Sequence, residues 1–127
     1  MNEKRKILVV DDEVHILHIV SLKLRNAGYE VITAADGAEA LELAQLERPD
    51  LLLTDYQMPR LSGIELCHRL RRIPATAEIP AVMLTARGFS IDPDAMTAAG
   101  IKVSLNKPFS PRELLEIVDD MLASLPV

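Results

Sequence analysis

The stretch DLLLTD, residues 50–55, decides the fold because its three leucines follow one another without a polar residue between them. A strand with one buried face alternates apolar and polar residues, whereas a strand covered on both faces is apolar throughout. Strands of the second kind belong to parallel sheets with helices on both sides. The acid that ends this run, Asp55, would then stand alone at the end of a central strand.

Runs of the same kind recur along the chain, at residues 6–10, 30–34, 50–54, 80–85 and 101–105. Between and after them lie patterns that predict helices, at about 13–27, 37–47, 63–73, 93–99 and 111–124. This alternation predicts the α/β class, with a doubly wound five-stranded parallel sheet of (βα)5 type. The 127 residues fit a single domain, 1–127.

The helix starts carry their own chemical signals. A short oxygen side chain precedes a glutamate by three residues, as in a capping box, at Asp36 with Glu39, Ser62 with Glu65, and Ser110 with Glu113. Pro93 and Pro111 fit the first position of a helix, where proline costs no hydrogen bond.

Composition excludes several classes of function. A net charge of −5 repels nucleic-acid phosphate, so we expect no direct nucleic-acid binding by this domain. One cysteine, Cys67, excludes an internal disulfide and fits a buried helix face. No apolar run approaches the roughly 20 residues that span a bilayer. We also expect no signal peptide, because the charged start MNEKRK is not followed by a suitable apolar core. We therefore expect a cytoplasmic protein without membrane contact.

Charged and polar residues follow four of the five strands. Asp11 and Asp12 come after the first, Asp55 ends the third, Thr85 ends the fourth, and Lys107 follows the fifth. Ligands of an open parallel sheet bind at the carboxyl ends of its strands, so these side chains should share one shallow pocket.

Three converging carboxylates repel one another unless a cation lies between them. Mg²⁺ suits such a site, since it prefers oxygen ligands and is commonly held by one or two carboxylates with a substrate phosphate. Lys107 would be redundant for the metal but suits a phosphoryl oxygen. Asp55 is the better nucleophile because it stands alone, whereas Asp11 and Asp12 are adjacent and suited to share the metal.

The chain resembles the receiver domain of two-component response regulators over nearly its whole length. The resemblance rests on VVDDE, LLLTDYQMPRLSG, VMLTARG and NKPFSPREL, in this order and spacing. It implies a flavodoxin-like strand order 2-1-3-4-5 and phosphorylation of Asp55 by a sensor histidine kinase or a histidine phosphotransfer protein. The domain would be no enzyme beyond its own phosphoryl transfer and autodephosphorylation.

The resemblance also implies roles for the other site residues. Mg²⁺, with Mn²⁺ as an alternative, would be bound by Asp12 and Asp55 directly, by Asp11 mostly through water, and by the backbone carbonyl of Gln57. Thr85 would turn inward to bond the phosphoryl group, and Lys107 would pair with another of its oxygens. The Lys-Pro peptide should be cis. The face of the fourth helix, fifth strand and fifth helix would bind a downstream protein, an output domain or a second copy.

Two features depart from this family. Ser104 stands where receivers usually carry an aromatic ring that moves with the threonine, which leaves the usual coupled switch in doubt. Pro93 should start the fourth helix late and leave Phe89 and Ile91 in an extended loop, where Phe89 could replace the missing ring.

Other polar residues have simpler interpretations. Glu13 should lie in the first helical turn, and Asp50 at the opposite end of the sheet from the site. Thr54 should pack under a helix. His15 and His18 predict an exposed helix face. So do the three arginines of the third helix, Arg69, Arg71 and Arg72.

Three other functions fit the sequence less well. A phosphohydrolase that forms an aspartyl phosphate and resembles the haloacid dehalogenase family would carry a second aspartate two residues after the nucleophile, where this chain has Gln57. A flavin-binding module would need a phosphate-cradling loop and aromatic residues. A degenerate receiver that only binds protein is favoured by Ser104 but opposed by Asp12, Asp55, Thr85 and Lys107.

Overall fold

The structure is a computed structural model that describes residues 4–86 and 90–124. Its strands are β1 (Lys6–Val10), β2 (Glu30–Ala34), β3 (Leu51–Asp55), β4 (Ala81–Thr85) and β5 (Ile101–Asn106). Its helices are α1 (Val14–Asn26), α2 (Gly37–Glu47), α3 (Gly63–Arg71), α4 (Pro93–Ala99) and α5 (Pro111–Ala123). All ten predicted elements are confirmed, and their ends differ from the predicted ones by two residues at most.

The strands form one parallel sheet in the order β2-β1-β3-β4-β5, which confirms the predicted topology. Strand β1 pairs with β2 on one side and with β3 on the other, so the direction of winding reverses at β1. The crevice between the carboxyl ends of β1 and β3 is therefore the switch point where ligands of such sheets bind.

Both faces of the sheet are covered, as the leucine run of β3 predicts. Leu52 packs into a cluster with α2, α3 and α4. Leu51 and Leu53 point the other way, into a cluster with α1 and α5. Every residue of β3 is buried, because alternate side chains of the strand enter two different cores.

Short polar side chains cap four helices, and one of them forms the full capping box. Ser62 accepts a bond from the Glu65 backbone, and the Glu65 carboxylate accepts one from the Ser62 backbone. Asp36 and Ser110 accept the equivalent bond, and so does Asp92, which precedes Pro93 at the start of α4.

The prediction of a solvated arginine face on α3 is wrong for Arg71. Its guanidinium donates to the carbonyl oxygens of Ala77 and Ile79, which lie between α3 and β4. Arg69 and Arg72 are exposed as predicted. Since a guanidinium offers five N–H donors, it suits a turn whose backbone carbonyls have no partner in the sheet.

Several smaller predictions can be compared with the structure. Cys67 is buried, and burial raises the pKa of its thiol to about 12. The Lys107–Pro108 peptide is cis. The late start of α4 at Pro93 is confirmed, but Ile91 before it is buried, and Phe89 lies outside the described residues. No helix in residues 4–86 or 90–124 is long and apolar enough to cross a membrane.

Candidate functional site

Backbone hydrogen bonds hold the site residues at the carboxyl edge of the sheet. The Asp11 N–H donates to the Ala34 carbonyl at 3.2 Å, which extends the β1–β2 ladder by one residue. The Lys107 N–H donates to the Thr85 carbonyl at 2.7 Å, which does the same for β4 and β5. Asp55 is itself the last residue of β3. The sheet therefore fixes the backbone from which each of these side chains projects.

The three predicted carboxylates come together. Asp11, Asp12 and Asp55 each offer a carboxylate oxygen, and these oxygens lie within 4.8 Å of one another. Asp11 and Asp55 are buried whereas Asp12 is exposed, so the cluster is open to solvent on one side. Three close carboxylate oxygens with an open side fit a hard divalent cation such as Mg²⁺, which keeps part of its water shell.

Lys107 reaches the same cluster from β5. Its Nζ lies 3.0 Å from Asp11 Oδ2, 3.2 Å from Asp55 Oδ1 and 3.5 Å from Glu13 Oε1. The contact with Glu13 corrects one prediction. Glu13 is the residue before α1 rather than part of its first turn, and its carboxylate faces the site. Sequence spacing alone did not predict that Glu13 faces the site, because a sequence pattern defines the first residue of a helix poorly.

The electrostatics of the cluster make Asp55 unusual. Burial raises the pKa of its carboxyl to about 6, the Asp11 carboxylate adds to this rise, and the Lys107 ammonium opposes it. Burial would lower the pKa of Lys107, but the hydrogen bond and attraction of Asp11, together with Asp55, hold it above its ordinary value. Lys107 is therefore charged at neutral pH and cancels only part of the negative charge around it.

Gly63, the first residue of α3, lets the helix approach the end of β3. A Cβ atom at this position would lie 2.4 Å from the Asp55 carbonyl oxygen and 2.8 Å from Met83 Sδ. The Gly63 N–H also donates to the Tyr56 carbonyl at 2.9 Å. Glycine is required here for space, since these contacts are closer than any side chain allows, and it closes the loop that follows Asp55.

Thr85 is not brought into contact with the acids. It ends β4 and is fully buried, and the Asn106 amide donates to its hydroxyl oxygen at 2.8 Å. Within the described residues its hydroxyl therefore bonds to β5 and not to the acid cluster. Sequence reasoning missed Asn106, although its position directly before Lys107 pairs it with Thr85 across the sheet.

The remaining predicted residues lie as follows. Gln57 is exposed in the loop after β3, and the role of its carbonyl as a metal ligand stays a prediction. Ser104 is half-buried on β5 opposite Met83. Asp50 accepts a hydrogen bond from the Lys6 N–H at 2.8 Å, at the start of β1, which confirms its place at the opposite end of the sheet.

Three residues for which no functional role was predicted also lie where the sequence predicts them. His15 and His18 are exposed on α1, as predicted. Thr54 is fully buried on the face that α2 and α3 cover, and its hydroxyl donates to the Asp55 carbonyl at 3.1 Å.

An apolar groove of about 570 Å³ runs beside Lys107, between α1 and the segment that joins β5 to α5. Its apolar lining comes from Ile16, Ile19, Val20, Ala86, Pro108, Phe109 and Pro111. Ile19, which lines the groove, is itself partly exposed, so α1 presents apolar surface at the edge of the groove. The acid cluster therefore has an apolar surface next to it.

A doubly wound sheet with an acidic cluster and a lysine at its switch point defines a class of phosphoryl-accepting signalling domains. Residues 7–119 match the response regulator receiver domain family, and the chain belongs to this family. It is thus a receiver domain of two-component signal transduction, and neither a phosphohydrolase nor a module that only binds protein is favoured.

Two curated relatives illustrate the match. A probable transcriptional regulator, ycf27, from Cyanophora paradoxa is 48% identical over 111 residues, which are 87% of this chain and 45% of the relative. The alkaline phosphatase synthesis transcriptional regulatory protein PhoP from Bacillus subtilis is 44% identical over 110 residues, again 87% and 45% of the two chains. The chain thus spans about 45% of the length of the curated relatives that it matches.

Solved structures agree with the fold. The chemotaxis response regulator CheY4 of Vibrio cholerae is 38% identical with a TM-score of 0.85, over 93% of this chain and 98% of the other. The receiver domain of the sensor histidine kinase PA1611 from Pseudomonas aeruginosa is 30% identical with a TM-score of 0.84, over 96% and 100%. That second structure has a magnesium ion coordinated in its active-site cleft.

Proposed function

We propose that Asp55 is the phosphoacceptor of this receiver domain and that residues 1–127 form one domain built around it. The observation that carries the proposal is the position of Asp55 in the cluster. One of its oxygens lies 3.2 Å from the Lys107 ammonium, and carboxylate oxygens of Asp11 and Asp12 lie within 4.8 Å, with Asp12 on the open side. A phosphoryl group on Asp55 would therefore lie next to the Lys107 ammonium.

The donor we propose is a phosphohistidine of a sensor kinase or of a histidine phosphotransfer protein. An Asp55 carboxylate oxygen attacks phosphorus, the new O–P bond forms, and the P–N bond breaks with its electron pair left on the imidazole. In autodephosphorylation, water attacks the same phosphorus and the carboxylate leaves as inorganic phosphate forms. Lys107 stabilises the charge on the phosphoryl oxygens in both steps, which is where most catalysis of phosphoryl transfer lies.

The metal we propose is Mg²⁺, with Mn²⁺ as an alternative, held by Asp11, Asp12, Asp55 and the backbone carbonyl of Gln57. When bound, it supplies positive charge that keeps Asp55 ionised and neutralises phosphoryl oxygens. The raised pKa of Asp55, about 6, supports this role, since burial and the neighbouring acids make its ionised, nucleophilic form less favourable without a cation.

The readout we propose is a shift of the surface formed by α4, β5 and α5, which a downstream protein, an output domain or a second copy would recognise. Thr85 would turn from its buried position toward the phosphoryl group, which changes its contact with β5. Such a switch needs only a few kcal/mol of differential binding between its two states. The names of the curated relatives suggest control of transcription for the whole protein.

The test is phosphorylation by acetyl phosphate followed by intact-mass measurement, with and without Mg²⁺. We expect the mass of one phosphoryl group to be gained only with Mg²⁺, and no gain in Asp55→Asn. Asp50→Asn is the matched control, because Asp50 lies at the opposite edge of the sheet and should leave the gain intact.

Each contrary outcome has a defined meaning. No mass gain in the wild-type chain would contradict the phosphoacceptor role. A gain that persists in Asp55→Asn would move the acceptor to another residue. Lys107→Ala should slow both the gain and the later loss of phosphate, because the only cation within reach of Asp55 among the described residues is removed.

A further inference from the structure

We infer that Asn106 is a positioning residue. It holds Thr85 in the position that Thr85 has before Asp55 is phosphorylated, and it must release Thr85 when Asp55 is phosphorylated. The inference rests on the proposed roles of Asp55 and Thr85. It adds an uncharged side chain to the charged and hydroxyl groups of the site.

The Asn106 amide spans the ends of two neighbouring segments. Its Nδ2 lies 2.8 Å from Thr85 Oγ1 and 3.0 Å from the Ala86 carbonyl oxygen. Asn106 is exposed while Thr85 is fully buried, so the amide reaches inward from the surface. Lys107, the residue after Asn106, donates from its backbone N–H to the Thr85 carbonyl at 2.7 Å.

The chemistry of these groups fixes which atom donates. A backbone carbonyl only accepts hydrogen bonds, so the amide atom that faces Ala86 must be the NH₂ group. The same nitrogen faces Thr85, so Thr85 Oγ1 accepts and its own hydrogen points away from Asn106. Both hydrogens of the Asn106 amide are thereby used, one on each partner.

The alternation of side chains along β4 places the Thr85 side chain on the opposite face of the sheet from Asp55, where the Asn106 amide bonds its hydroxyl. Met83 packs into the cluster of α2, α3 and α4, and Thr85, two residues on, lies on the same face. On β3, Leu53 packs into the opposite cluster, so Asp55 lies on the face of α1 and α5. To reach a phosphoryl group on Asp55, the Thr85 hydroxyl must leave the Asn106 amide.

Ser104 explains why this contact matters in this chain. It lies two residues before Asn106 and therefore on the same face of β5, opposite Met83 rather than Thr85. A serine is too short to follow Thr85 as an aromatic ring would. Asn106 is the β5 side chain that does touch Thr85, so movement of Thr85 breaks a defined contact with β5.

A bond present only in the unphosphorylated state opposes phosphorylation by its own net free energy. Removing one neutral hydrogen bond of this kind should shift the balance toward the phosphorylated conformation about fivefold. The effect must vanish when Thr85 has no hydroxyl, because nothing is then left for Asn106 to hold.

The experiment is a titration with fluoroberyllate in excess Mg²⁺, which places a phosphoryl-like group on Asp55, followed by ¹⁹F NMR of the bound form. We expect Asn106→Ala to bind about fivefold more tightly than the wild type. In a Thr85→Ala background, Asn106→Ala should change the affinity by less than about twofold. Lys102→Ala, an exposed change on the same strand, is the matched control and should change neither value.

The outcomes separate this inference from the proposed function. If the wild-type chain does not bind fluoroberyllate, the phosphoacceptor role and this inference both fail. If it binds but Asn106→Ala binds equally or more weakly, the role of Asn106 is overturned and that of Asp55 stands. The role of Asn106 is also overturned if Asn106→Ala raises the fluoroberyllate affinity equally in the wild-type and Thr85→Ala backgrounds. Thermal unfolding of each variant identifies a loss of affinity that comes from misfolding.

Discussion

At the scale of single residues, Asp55 combines two opposing requirements. Burial and the neighbouring acids raise the pKa of its carboxyl to about 6, whereas the proposed role as phosphoacceptor requires the ionised carboxylate. Lys107 resolves only part of the conflict, because it also pairs with Asp11 at 3.0 Å and Glu13 at 3.5 Å. The residue is therefore destabilising until a further cation or a phosphoryl group completes the site.

Asp55→Asn should make the metal-free protein more stable at neutral pH. Because the folded-state pKa of about 6 lies above the ordinary 3.8, the folded state holds more protons between these values, and the wild type loses stability as pH rises through them. We expect the variant to be more stable by about 1 to 2 kcal/mol at neutral pH, with no difference near pH 4. Urea unfolding across this pH range, in the presence of a chelator, measures it.

Asp50→Asn is the control for this pH experiment. Asp50 accepts a bond from the Lys6 backbone and pairs with Arg5 at 3.6 Å, so its replacement should lower stability rather than raise it. A destabilised Asp55→Asn at neutral pH would contradict the strain that we assign to the cluster.

Gly63→Ala should damage the site through packing alone. The added Cβ would lie 2.4 Å from the Asp55 carbonyl, which cannot move without shifting the end of β3. We expect a loss of about 2 to 4 kcal/mol and slower phosphorylation. Gly28→Ala is a useful comparison because its Cβ meets nothing within 4 Å. Its cost of about 1 kcal/mol comes from a φ of +100° alone. Equal effects of the two changes would disprove the close-approach argument.

At the scale of secondary-structure elements, α1 carries exposed apolar residues that its packing against the sheet does not explain. Val20 and Leu24 bury one side of it against the sheet. Val14, Ile19 and Leu22 remain exposed at 74%, 46% and 52%, and Ile19 lines the apolar groove beside Lys107. A partner that brings a phosphohistidine to Asp55 would find this apolar groove beside the site.

Ile19→Ser should therefore weaken transfer from a protein donor and leave small-molecule phosphorylation unchanged. Losing one apolar contact at an interface corresponds to about a tenfold lower transfer rate at limiting donor. The measurement compares transfer from a phosphorylated histidine kinase domain with the mass gain from acetyl phosphate. Leu46→Ser is the matched control, since Leu46 is exposed at 71% but lies on α2, outside the lining of the groove. Equal loss in both variants would place the docking surface elsewhere.

The elements themselves could be predicted because each carries its own local signal. The leucines of β3 indicate burial on both faces, and Ser62 with Glu65 marks the start of α3 by hydrogen bonds that the structure contains. Contacts that depend on two distant segments could not be predicted in the same way. Arg71 satisfies carbonyls of a turn whose path is unknown from sequence, and Glu13 meets Lys107 from another element.

In the candidate site, too, some features could be predicted from the sequence and contacts between distant segments could not. The convergence of Asp11, Asp12, Asp55 and Lys107 follows from strand ends in a parallel sheet, which is a property of topology. The bond from Asn106 to Thr85 depends on which residues pair between β4 and β5, and that register includes an irregularity between Ala81 and Val82. A shift of one residue would turn the Asn106 side chain to the other face, so the pattern alone could not assign this contact.

At the scale of the whole molecule, the acid cluster that can bind a cation lowers the stability of the cation-free fold. The sheet brings together three carboxylates at the switch point, and two of them are buried. Their mutual repulsion opposes folding and is relieved by positive charge or, at lower pH, by protonation of Asp55. Metal binding and global stability should therefore be linked, because Mg²⁺ that binds the folded cluster has no equivalent site in the unfolded chain.

Mg²⁺ should raise the thermal unfolding midpoint of the wild-type chain in a concentration-dependent way. At a free concentration of 100 times Kd, the expected gain is about 2.7 kcal/mol, or a rise in Tm of about 10 °C for a domain of this size. Asp12→Asn should remove most of the gain, because it deletes the exposed carboxylate of the cluster while leaving the buried ones in place. Asp120→Asn on α5, exposed and outside the cluster, should respond to Mg²⁺ like the wild type. Scanning calorimetry over a series of Mg²⁺ concentrations gives the midpoints, and a midpoint that does not change with Mg²⁺ would rule out the cluster as a metal site.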